Sequence, residues 1–209
     1  MSSSPVLTDD TQLSRLDQAL LRLEASLNLI AGIVIFALVI LAVMNVLGRK
    51  FLGLPVSGYI DWTTQFMAVF AFLGLSYCQR EGGHIRMDIV VSQLRGRALW
   101  AAEWLSILFM LILTTALIYG TWFHFTRSFD FNAPLWSRDS SIDIALPLWP
   151  AKFLVPFAMG ILWLRLALQL WGYGRAFRQN TNSPVAVPLI EDAATLANKE
   201  AKTVEGDDG

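Results

Sequence analysis

Four stretches of the chain are apolar with few interruptions, Ser26–Leu47, Trp62–Cys78, Leu99–Phe123 and Leu146–Trp171, and polar residues collect between and beyond them. A helix rises about 1.5 Å per residue, so roughly 20 residues cover the hydrocarbon core of a bilayer. Each stretch therefore predicts a membrane-crossing helix, the second near the short end of that range. The expected fold is an all-α membrane protein with four transmembrane helices plus interfacial amphipathic helices. The chain divides into a cytoplasmic segment over residues 1–25, a four-span domain over 26–171 and a polar tail over 172–209. The tail is acidic, contains Pro184 and Pro188, and is expected to be disordered.

Ahead of the first span, Leu13, Leu16, Leu20, Leu23 and Leu27 recur at steps of three and four, with Arg15, Asp17, Arg22 and Glu24 on other faces. This predicts an amphipathic helix lying along the membrane surface and running into the first span; a short coiled-coil seam would have the same spacing. After the second span, Glu81-Gly82-Gly83 breaks the helix. Ile85, Ile89, Val90 and Leu94 then interleave with Arg86, Asp88, Gln93 and Arg95, which predicts a second interfacial helix. The outer connection from His124 to Ala145 is the longest and has no helical period. Pro147, Pro150 and Pro156 crowd the start of the fourth span, where a kink or a broken first turn is expected.

Composition agrees, with 55% hydrophobic and 16% charged residues, against about 25% charged in soluble domains. A net charge of −1 supplies no basic surface for nucleic acid. The single cysteine, Cys78, cannot form an internal disulfide. About 25 mostly polar residues precede the first apolar run, unlike a cleaved export signal, so the first span is expected to remain in the mature protein.

Charge placement sets the expected orientation. With a cytoplasmic N-terminus, eight arginines (Arg15, Arg22, Arg80, Arg86, Arg95, Arg97, Arg175 and Arg178) lie inside, against four basic residues outside (Arg49, Lys50, Arg127 and Arg138). The positive-inside rule then puts both termini in the cytoplasm. Trp62, Trp122, Trp136 and Trp149 fall near the outer ends of the spans, and Trp100, Trp104 and Trp171 near the inner ends, as interfacial belts require.

Candidate chemistry is sparse. His84 and His124 fall on opposite sides of the membrane, about 30 Å apart, so they cannot clamp one haem; no cofactor or metal is expected. Intramembrane charges are the better lead, because such a group needs a partner or an exit. Glu103 and Arg165 lie at matching depth and could pair, and Lys152 could reach Asp61; snorkelling of Arg165 and Lys152 to the interfaces is the alternative. Ala68, Ala71 and Gly74 recur at every third position, which lets another helix approach. No internal repeat suggests a self-contained transporter.

The stretch from Tyr77 to Ile89, Tyr-Cys-Gln-Arg-Glu-Gly-Gly-His-Ile-Arg-Met-Asp-Ile, resembles a segment after the second span in the small (DctQ-type) membrane subunit of TRAP transporters, the tripartite ATP-independent periplasmic transporters of bacteria and archaea. Asn45 and Arg49 closing the first span, Trp62 opening the second, and Leu146-Pro147-Leu148-Trp149 through Pro156, Gly160 and Arg165 are also similar. After Trp62 this chain carries Thr63, Thr64 and Gln65 where many members carry glutamates; Asp61 is the nearest acid. The resemblance implies a non-enzymatic subunit of the bacterial inner membrane that braces the large membrane subunit. In such a complex, a periplasmic solute-binding protein delivers a small organic acid for ion-gradient-driven uptake. Arg49, Asp61, Trp62, Ala68, Ala71, Gly74, His84, Asp88, Glu103, Lys152, Pro156 and Arg165 are the candidate structural or subunit-interface residues. The competing class is a membrane anchor for a haem- or quinone-linked dehydrogenase.

Overall fold

A computed structural model describes residues 12–81 and 97–179. The expected interfacial helix from Ile85 to Leu94, with His84 and Asp88, and the tail from residue 180 lie outside the described residues. Five α-helices are present among those described: α1 (Gln12–Leu47), α2 (Tyr59–Leu73), α3 (Leu75–Arg80), α4 (Arg97–Ser128) and α5 (Trp149–Gln179). A π-helical turn over Gly48–Leu52 prolongs α1, and a 3₁₀ turn over Pro134–Trp136 lies in the outer loop. The only extended pairing in the described residues is two isolated bridges, Phe129 with Ser137 and Ser140 with Pro147.

Three helical segments, Gln12–Leu52, Ala98–Ser128 and Trp149–Arg178, are long and apolar enough to cross a membrane. The second apolar stretch differs from expectation, because it is divided at Gly74 into α2 and the six-residue α3. Taken together, Tyr59 to Arg80 would still extend about 33 Å at helical rise. The leucine-rich segment runs into the first span without a break, as expected, and the resulting α1 is 36 residues long, about 54 Å.

Glycine shapes the turn between α1 and α2. Gly53 closes the π turn in the left-handed conformation at φ 67°, and its backbone N–H donates to the Gly48 carbonyl. Gly58 opens α2 at φ 69°, where a Cβ would also lie 2.4 Å from the side chain of Ile144. A side chain there is excluded by both conformation and space. Between these glycines, the Val56 N–H donates to the Asn45 side-chain oxygen at 3.1 Å, tying the turn back to the end of α1.

α5 is the central element and packs against α4, α2, α3 and α1, most extensively against α4. One core joins Trp100 and Ile107 of α4 to Leu162, Leu166, Tyr173 and Ala176 of α5, with the Trp100 and Tyr173 rings 6.1 Å apart. A smaller one joins Ala31 of α1, Leu73 of α2 and Ala158 of α5. Helix α5 begins at Trp149 rather than Leu146, since Pro147 disfavours helical geometry for the residue before it. It continues through Pro156, which is buried. Its neighbours hold the helix together there despite the lost backbone hydrogen bond.

Candidate functional site

Where α1, α3 and α5 meet, the interior is ionic. Asp17 and Glu24 are two helical turns apart on α1 and so share one face. That face points inward: Asp17 and Glu24 have no exposed surface, while Leu16 is 49% and Leu23 43% exposed. Of the five leucines expected to share one face, Leu13 is buried beside the acids, Leu20 and Leu27 are half-buried, and Leu16 and Leu23 are exposed.

Arg165 of α5 receives these acids. Its Nε donates to Glu24 Oε1 at 2.8 Å, its Nη2 to Glu24 Oε2, and its Nη1 to Asp17 Oδ1. This is a two-pronged grip on Glu24 with a third contact to Asp17, geometry for which a planar guanidinium is suited. Arg80, the last residue of α3, donates to the other oxygen of Asp17 at 3.0 Å and to Glu81 Oε1 at 3.0 Å. The Ser76 hydroxyl donates to Glu24 Oε1. Beside these, Gln79 Nε2 donates to Gln169 Oε1 at 2.8 Å, and Gln169 Nε2 returns to the Gln79 carbonyl at 3.3 Å. Two carboxylates and two guanidiniums balance within a buried volume that ties three helices together.

The sequence-based pairing of Arg165 with Glu103 is therefore corrected. Arg165 faces α1, whereas Glu103 lies on α4, is 5% exposed and has an interaction of its own. Matching depth on neighbouring spans could not reveal which helix face each side chain occupies. The sequence reading missed Asp17, Glu24, Ser76, Arg80, Gln79 and Gln169; the seven-residue spacing of Asp17 and Glu24 was the one available signal.

A second polar constellation closes the outer side. Asp61, in the first turn of α2, accepts hydrogen bonds from the Ser141 hydroxyl at 2.6 Å and from the N–H groups of Asp143 at 3.2 Å and Ile144 at 3.0 Å. Gln65, one turn further on, donates to the Pro147 carbonyl at 2.8 Å. The expected contact of Lys152 with Asp61 is also corrected: the Lys152 ammonium donates to Asp139 and, at 3.2 Å, to Ser128. The lysine thereby pins the loop that Asp61 anchors from its other side. The hydrogen bond from Lys152 holds the Asp139 carboxyl below its ordinary range. The Asn132 N–H, followed by Arg138, does the same for Asp130.

Of the remaining candidates, Arg49 is exposed, and Trp62 is 38% exposed beside Phe66 with ring centroids 5.9 Å apart. Gly74 is where α1 comes close, since a Cβ there would lie 3.4 Å from the Asn28 side chain. Ala68 is half-buried, and Ala71 on the same row is exposed.

The family model described as "Tripartite ATP-independent periplasmic transporters, DctQ component" matches residues 22–175. The chain belongs to this family. It is the small permease subunit of a TRAP transporter, a transporter component, and family membership implies association with the large membrane subunit and the binding protein. Among curated proteins there is no significant match. The DctQ match takes in Glu24, Arg80 and Arg165 of the ionic cluster together with Asp61 and the loop it anchors, while Asp17 precedes it.

Proposed function

We propose that this DctQ subunit is the immobile frame against which the large TRAP subunit works, with no part in binding the solute. The observation that carries this reading is the neutral ionic cluster, in which the carboxylate oxygens of Asp17 and Glu24 are occupied by Arg80, Arg165 and Ser76. Carboxylates so engaged are poor ligands for a transported ion or a passing solute, but they lock α1, α3 and α5 into one unit. A moving transport domain needs such a unit, because a frame that deforms would be dragged along with it.

In this reading α2 and α3 together form the second of four spans, both termini are cytoplasmic, and the membrane is the bacterial inner membrane. The eight-to-four distribution of basic residues supports that orientation. The exposed apolar residues of α1, among them Ile33, Phe36, Ile40 and Met44, supply surface for lipid and for the large subunit. The complex takes up a small organic acid, delivered by the periplasmic binding protein and driven by an ion gradient. Titration of the isolated chain with candidate acids in a calorimeter is expected to give no binding heat. Saturable binding would refute the frame reading.

A further inference from the structure

A groove of about 840 Å³ lies between the first turns of α4 and the last turns of α5. Its α5 wall is a single stripe, Ala167, Leu170, Trp171, Gly174, Arg175 and Arg178, with alternating steps of three and one that keep all six on one helix face. Trp104 of α4 forms the facing wall. Gly174 leaves this wall open: a Cβ there would come 3.5 Å from the indole nitrogen of Trp104, so a larger side chain would fill the space.

The chemistry along the stripe is ordered. Over 12 residues, about 17 Å of helix, it passes from an apolar pair through an indole to two guanidiniums at the end of a membrane-crossing helix. A phospholipid has the same sequence of hydrocarbon, interface and phosphate. Arg80, Arg138 and Arg165 each have a carboxylate partner, whereas among the described residues Arg175 and Arg178 have none. Both are exposed and lie three residues apart, within reach of one anion.

We propose that this groove is a binding site for one anionic phospholipid, with its phosphate held by Arg175 and Arg178, its glycerol region between Trp104 and Trp171, and an acyl chain against Leu170 and Ala167. Basic grooves between membrane helices commonly take such head groups, and indole N–H groups are donors suited to ester oxygens. A soluble anion would leave the apolar end without purpose. This site is separate from the frame reading and can fail without it.

The test uses the transporter complex purified in mild detergent and exchanged into phosphatidylglycerol or phosphatidylcholine with the same acyl chains. Lipid retention is read by native mass spectrometry. One phosphatidylglycerol per copy of this chain is expected, with phosphatidylcholine lost. The double substitution Arg175→Gln/Arg178→Gln should weaken retention roughly thirtyfold, and Gly174→Leu should do so with both arginines in place. Arg175→Lys/Arg178→Lys should retain most of the binding, and Arg127→Gln at the other end of α4 should change nothing. The proposal is overturned if phosphatidylcholine is held as tightly, or if Gly174→Leu and the double glutamine variant keep their lipid. Release by an equal concentration of inorganic phosphate would assign the arginines to free anions and overturn it as well. Binding seen only after removal of residues 180–209 would give the groove to the acidic tail, with the same consequence.

Discussion

Replacing Arg165 with methionine removes a side chain that contacts both Asp17 and Glu24 of α1. Three donated hydrogen bonds disappear, and Asp17 and Glu24, neither with any exposed surface, are left with Arg80 and Ser76 for compensation. The buried charge at the junction falls from zero to −1. Breaking a buried ion pair by removing one partner costs about 3–5 kcal/mol, mostly as desolvation of the stranded charge. For a protein of this size each kcal/mol moves the melting temperature by about 2–4 °C, so a loss on the order of 10 °C is expected. Neutralising Glu24 as well, in Glu24→Gln/Arg165→Met, restores charge balance and leaves Asp17 paired with Arg80. The double variant should therefore be more stable than the sum of the single losses predicts, with coupling of about 1–3 kcal/mol. The assay is thermal denaturation of the complex followed by the soluble fraction on size exclusion, for both single variants and the double. Additive losses, or stronger coupling of Arg165→Met with Glu103→Gln than with Glu24→Gln, would refute the cluster as the element joining α1 to α5.

Asp61→Asn should weaken the attachment of the outer loop without unfolding the helices, making the loop more open to limited proteolysis while melting changes little; an unaltered cleavage rate would contradict the anchoring role. The loop's carboxylates predict its pH response. Asp130 and Asp139 are held below the ordinary 3.8, so their stabilisation is fully present above that value and is lost as pH falls through their lower folded values. The anisotropy of a dye on Ile142→Cys, a 98% exposed site, should thus stay constant from neutral pH to about 4 and fall below it; a transition between pH 5 and 7 would be inconsistent. In intact cells with Cys78 removed, cysteines at Ser3 and Ser183 should be shielded from an impermeant thiol reagent while one at Ile142 labels, and the reverse pattern would invert the topology.

Much of the helical layout was legible in the sequence, because the absence of water in a bilayer forces long apolar segments into helices that satisfy their own backbone. The same physics hid the cluster. In water, an acid pair at heptad spacing beside a leucine stripe means acids outside; against hydrocarbon the better arrangement is the opposite, provided that arginines wait inside. Asp17 and Glu24 carry no mark that distinguishes these cases, and their partners lie more than 50 residues away along the chain. The division of the second span at Gly74 was hidden for a related reason, since a glycine there also fits the small-residue row that lets α1 come near. In the outer loop, Leu135, Trp136 and Ala145 take positive φ. None is a residue type that signals that conformation, so nothing announced that the chain would bend to bring Asp139, rather than Asp61, to Lys152.

The frame reading is tested most directly by solute uptake into proteoliposomes that contain the large subunit with or without this chain, with the loaded binding protein supplied outside and an ion gradient imposed. The account predicts uptake only when this chain is present, with the binding protein's affinity for its solute the same in both cases. Uptake at full rate by the large subunit alone would contradict it.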